Sequence, residues 1–75
     1  MNTYLQIAND IEYLTAQVEE YELRLKEVKE CYVGALRNGF YSNQWIYTTE
    51  IIALETVIES IGAALDGLYA LECIL

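Results

Sequence analysis

A short chain does chemistry with groups that trade protons, hold metals or attack electrophiles. Here those groups are twelve carboxylates, two cysteines and seven tyrosines, with no histidine. Without histidine, neither a Ser-His-Asp nor a Cys-His arrangement can be assembled, and histidine-based metal sites are excluded. Cys31 and Cys73 alone cannot complete a zinc site without a second chain. No phosphate-cradling loop is present, because Gly62 and Gly67 lie inside an apolar helical pattern with no lysine after them. What remains is carboxylate chemistry, and whether it can operate depends on where the helices put the acids.

The elements follow from spacing. Tyr4, Ile7, Ile11, Leu14, Val18, Tyr21, Leu25, Val28, Tyr32 and Ala35 recur every three or four residues, and the spacing returns with Tyr47, Ile51, Leu54, Ile58, Ile61, Leu65 and Leu68. This alternation places apolar side chains along one stripe of a helix. Only residues 37–44 combine a helix breaker with polar residues, so the expected fold is all-α: an antiparallel hairpin of two long, coiled-coil-like helices in a single domain. Helix one is expected over about residues 3–38, opened by a Thr3–Gln6 capping box and closed at Asn38-Gly39. A turn over about 39–42 leads to helix two over about 43–74, with Ser42 or Asn43 as its cap. The stripe of helix one holds no acid, and that of helix two holds only Glu72, at a fraying end. A carboxylate-bound metal pair needs inward acids on several helices. The chain is therefore expected to be no enzyme and to hold no cofactor and no metal.

Composition raises the question of what covers the helices. With 75 residues, 55% of them apolar, a two-helix hairpin has more apolar surface than it can bury. Helix two widens its stripe with Val57, Ala64 and Leu71 and adds Ala53, Ser60, Gly67 and Ile74 at seven-residue spacing, three of the four small. Gly62 and Gly67 each cost up to ~1 kcal/mol in a helix interior relative to alanine. Close approach of another helix would offset that cost. Self-association is expected through Ile51, Leu54, Val57, Ile58, Ile61, Ala64, Leu65, Leu68 and Leu71, with two hairpins forming a homodimeric four-helix bundle and helix two inside. On helix one, Glu22 and Lys26, and Lys26 and Glu30, are spaced to pair across one turn.

Charge narrows the partners. The net charge is −8, the only bases are Arg24, Lys26, Lys29 and Arg37, and from Asn38 onward there are five acids and no base. Binding to nucleic acid or an anionic membrane surface is disfavoured, and a basic protein would be attracted. The N-terminus lacks the basic-then-apolar pattern of a secretory signal, so a cytoplasmic location is expected. The apolar run over residues 51–75 is divided by Glu55, Glu59, Asp66 and Glu72, each costly in hydrocarbon, which argues against a membrane span. A hairpin folded near residue 40 separates Cys31 from Cys73 by roughly 35 Å at ~1.5 Å per residue, too far for a disulfide. Both are expected as small apolar packing residues.

Two surfaces could recognise a partner. Tyr32, Phe40, Tyr41, Trp45 and Tyr47 gather at the turn end, where they either plug the bundle or anchor a partner, with Phe40, Tyr41 and Trp45 the candidate anchors. Glu55, Glu59 and Asp66 fall along one side of helix two, and Glu12 and Glu19 along one side of helix one. Four-residue spacing sets carboxylates ~6 Å apart, near the separation of successive phosphates, so the face could mimic a nucleic acid. The expected function is a non-catalytic, self-associating module that occupies a surface of a larger protein as inhibitor, adaptor or assembly factor. The alternatives are an acidic mimic that blocks a nucleic-acid-binding protein, like phage-type anti-defence inhibitors, and a structural coiled-coil component of an assembly.

Overall fold

The structure is a computed structural model that describes residues 3–39, 42 and 44–75. Two helices, α1 (Thr3–Arg37) and α2 (Gln44–Ile74), pack against each other as a hairpin. At ~1.5 Å per residue the longer helix spans roughly 52 Å, so it accounts for most of the 56 × 16 × 14 Å envelope. The molecule is a rod two helices wide.

Each helix ends within one residue of the position read from the sequence. Gly39 adopts a left-handed backbone, φ 75°, and its N–H donates to the Leu36 carbonyl at 3.2 Å. Asn38 reinforces the stop: its backbone N–H and its side-chain Nδ2 both donate to the Gly34 carbonyl, at 3.1 and 2.8 Å. Carbonyls that would otherwise lack a partner at the helix end are thereby satisfied. Of the two expected caps for α2, Ser42 is exposed and precedes the helix, while Asn43 lies outside the described residues.

The 3-4 stripe forms the contact between the helices. On α1, Ile7 and Val28 are buried, and the other stripe residues are half-buried except Tyr4, which is exposed at the open end. On α2, Tyr47, Ile51, Leu54, Ile58, Ile61, Leu65 and Leu68 are all half-buried and none is fully enclosed. Two cylinders touch only along a line, so a side chain on that line still meets solvent on both flanks. Near the turn the Tyr32 and Tyr47 rings meet edge to face, with centroids 6.3 Å apart and planes at 63°. Such a pair adds about 0.5–1.5 kcal/mol beyond the area it buries.

Ion pairs flank the seam, and they differ from those the local spacing suggests. Arg24 reaches across to Glu50, with Nε at 3.0 Å and Nη2 at 2.8 Å from Oε1, and Lys29 Nζ lies 3.5 Å from Glu55 Oε1. The ion pairs among the described residues are these two and Arg24–Glu27 at 3.8 Å; Glu22–Lys26 and Lys26–Glu30 do not form. All the participants are at least a third exposed, so each bridge contributes only ~0.2–1 kcal/mol. Their effect is on register, since Arg24–Glu50 and Lys29–Glu55 tie the helices on opposite sides of the seam.

The cysteines also depart from expectation. Both are unbridged, as the hairpin geometry requires, but both are exposed rather than packed. Cys31 falls between the stripe positions Val28 and Tyr32 in sequence yet about 100° round the helix from Tyr32, and Cys73 sits in the last turn of α2.

The core is therefore small and unevenly shared. Replacing Val28 by alanine should lower stability by about 1–3 kcal/mol, whereas Val33→Ala, on the exposed side of α1, should change it by less than about 0.5 kcal/mol. Urea unfolding at matched protein concentration checks both; equal effects would mean that the stripe is not the principal contact.

Candidate protein-interaction surfaces

Trp45 occupies the first turn of α2 and is 68% exposed. Tyr32 and Tyr47, by contrast, turn inward and contact each other. The turn-end aromatics thus divide into an inner pair that closes the seam and an outer tryptophan. Phe40 and Tyr41, the other two candidate anchors, lie outside the described residues. A broad indole with its N–H at the rim suits a protein contact, where an apolar face and a polar tip are both used.

The second surface is the side of α2 turned away from α1. Of the nine residues expected to drive self-association, Ile51, Leu54, Ile58, Ile61, Leu65 and Leu68 are half-buried in the seam, while Val57, Ala64 and Leu71 are exposed. The small-residue line of Ala53, Ser60, Gly67 and Ile74 is exposed along its whole length. At ~100° per residue these two lines lie side by side, with Ile46 beside them, and the one charged side chain among them is Glu50, one heptad before Val57 and held by Arg24. The polar members present little polarity outward. Thr49 and Thr56 each turn the hydroxyl back to the carbonyl four residues earlier, Trp45 at 2.7 Å and Ile52 at 2.8 Å. Their methyl groups are left to face outward. At Gly67 an added Cβ would meet nothing within 4 Å. Nothing inside the hairpin therefore requires glycine at that position.

Charge is distributed along the rod in a way that residue totals conceal. In the turn-end half, residues 24–56, Arg24, Lys26, Lys29 and Arg37 balance Glu27, Glu30, Glu50 and Glu55. The open half carries Asp10, Glu12, Glu19, Glu20, Glu22, Glu59, Asp66 and Glu72 and no basic side chain, so the whole −8 resides there. Glu59 and Asp66 are exposed on the flank of α2 opposite Val57 and Ala64, and Glu12 and Glu19 are exposed on α1. Glu55, the third acid of that flank, is held by Lys29 and so belongs to the neutral half. Beside it runs an open groove of about 530 Å³ along α1, lined by Leu25, Val33 and Gly34 together with Lys26, Lys29, Glu30 and Arg37.

Among the described residues no group of three or more acids and cysteines is placed to hold a metal ion. No described helix is long and apolar enough to cross a membrane. No family model, curated protein or solved structure matches this chain. The surfaces themselves are what the molecule offers: an exposed Trp45 at the turn end, a largely apolar helix face and a rod charged at one end.

The outward face of α2 was visible in the sequence as small residues at seven-residue spacing. The charge division needed the fold, because it joins residues from the two ends of the chain. Exposure of Cys31 and Cys73 gives a direct check on the outer surface: a disulfide-exchange thiol reagent should titrate two thiols per native chain at the rate of small-molecule thiols. Slow or substoichiometric reaction would mean that another surface covers them.

Proposed function

We propose that this chain is a small acidic, non-catalytic binding module that pairs with itself through the outer face of α2 and occupies a surface of a larger protein through its aromatic tip. In this reading it acts as an inhibitor, adaptor or assembly factor in the cytoplasm, where its unbridged thiols suit a reducing compartment. The observation that carries the reading is the largely apolar outer face of α2, whose one acid, Glu50, is paired with Arg24. A 75-residue hairpin with only Ile7 and Val28 buried among its described residues has too small a core to stand alone, and it leaves Ile46, Val57 and Leu71 uncovered. Pairing two such faces gives a four-helix bundle with α2 inside.

The tip is assigned to the partner because Trp45, its described member, is left exposed by the seam. Trp45 stays outside the Tyr32–Tyr47 pair, and in the sequence Phe40 and Tyr41 precede it by five and four residues. A basic partner is favoured by the net charge of −8.

Mimicry of a nucleic acid is the second reading, supported by the exposure of Glu59 and Asp66 beside the acidic half of α1. The Lys29–Glu55 bridge weighs against it, because it neutralises one of the three acids on that flank and places a base within the array.

Alanine at Phe40, Tyr41 and Trp45 together should leave the dimer intact by sedimentation while abolishing retention of the protein that the wild-type chain captures; loss of the dimer would assign the aromatics to the core. Changing Glu55, Glu59 and Asp66 to glutamine should leave that capture within about twofold at physiological salt. Abolition by this variant, together with steep loss of wild-type binding at ~0.5 M salt, would establish mimicry in place of the tip.

A further inference from the structure

We infer that the second copy docks antiparallel on the outer face of α2, with a two-fold axis beside Ser60, so that the dimer is a two-ended rod with one aromatic tip at each end. The inference rests on the self-association proposed above and specifies its geometry.

The surface left exposed is large enough for a second copy to cover. The chain exposes 5583 Å². A compact monomer of 8.6 kDa exposes about 4,700 Å² by the mass scaling of folded proteins, so the excess is about 900 Å². A standard interface buries about 800 Å² per partner.

The residues on the face are compatible with a copy of themselves. A two-fold interface must be self-complementary. About Ser60, antiparallel pairing sets Ile46 against Ile74 and Ala53 against Gly67, large at the ends and small in the middle. The serine and the small residues flanking it permit the closest approach at the crossing point. One heptad from the axis, Gly67, where an added Cβ would meet nothing inside the hairpin, as is also true of Gly34 and Gly62, faces the partner's helix. Its helix cost of up to ~1 kcal/mol is offset by that approach.

Charge selects the direction. A parallel pair would lay the two open halves side by side and concentrate all sixteen uncompensated negative charges at one end. Neighbouring helices sit about 8–10 Å apart, comparable to the ~8 Å screening length at physiological salt, so this repulsion is only partly screened. The antiparallel pair instead sets each acidic half beside the neutral half of the other chain, where Lys26, Lys29 and Arg37 reside. Ser60 lies near the middle of the rod, so the overlap is nearly complete. Fifteen residues separate Trp45 from the axis, which at ~1.5 Å per residue places the two tryptophans roughly 45 Å apart and facing opposite ways. Such a dimer links two partner molecules end to end.

Disulfide trapping in the full chain with Cys31→Ser and Cys73→Ser tests the geometry. Under mild oxidation with oxidised glutathione, S60C should cross-link to itself in more than about 80% of chains. A53C and G67C, each alone, should give less than about 10%, because antiparallel pairing holds like positions roughly 21 Å apart at ~1.5 Å per residue. An equimolar mixture of A53C and G67C should yield the mixed disulfide. The positions are exposed and small, and circular dichroism with sedimentation verifies that each variant is helical and dimeric. Self-linking of A53C would overturn the antiparallel direction, and a dimer in which none of the three pairs links would overturn the face while leaving self-association standing. A monomeric mass for the parent chain at ~50 µM would overturn both this geometry and the self-association beneath it.

Discussion

The constraint on which the rest depends is that two helices in contact have a line between them and no interior. Every stripe position on α2 is partly withdrawn from solvent, yet none is buried, and on α1 only Ile7 and Val28 are. A third or fourth helix is what converts such a line into a core. Apolar residues outside the seam are the natural consequence: Val57 and Leu71 have no neighbour to cover them, and the hairpin cannot bend to provide one over a 56 Å rod. The limited stability of the hairpin and the self-association proposed for it therefore share one origin, the shortage of packing partners.

Electrostatics acts within that frame in two different ways. The cross-helix pairs Arg24–Glu50 and Lys29–Glu55 are exposed and weak, so they fix how the helices align rather than how firmly they hold. They also consume two of the four bases in the neutral half of the rod. The acids of the open half have no local counter-charge, and their mutual repulsion is relieved only by extension or by a partner bearing positive charge. A charge difference between the two ends gives a rod direction, which a uniformly acidic surface would lack.

Much of this was legible in the sequence, for physical reasons that also mark where legibility stops. The 3-4 spacing reports on a helix's own geometry, so the stripe and the helix limits were readable from residue order, and Asn38-Gly39 marked the turn because few residues adopt φ 75° without strain. Contacts between helices were less accessible. Glu22, Lys26 and Glu30 have the right separation to pair along α1, but Arg24 and Lys29 find Glu50 and Glu55 across the seam, and only the fold places those acids within reach. Cys31 and Cys73 suit a core by residue type, and their angular positions set them outside it. Val57, Ala64 and Leu71 show the converse limit: an apolar residue declares that it should be covered without declaring by which surface.

A rod whose packing is completed by its own copy has a folded state that depends on concentration. Dimer formation stabilises the folded chain by mass action, and the gain disappears as the concentration falls below the dissociation constant. Dilution would then release more than single hairpins, because a hairpin with two buried side chains retains little to hold it together. The outer face of α2 would be uncovered and the helices would separate in the same step. In the proposed dimer, binding at the aromatic tip would be linked to this equilibrium, since a partner that requires both tips would draw chains into the dimer and so into the folded state. Occupancy of the target and folding of the chain would rise together, a coupling that follows from the thinness of a two-helix core.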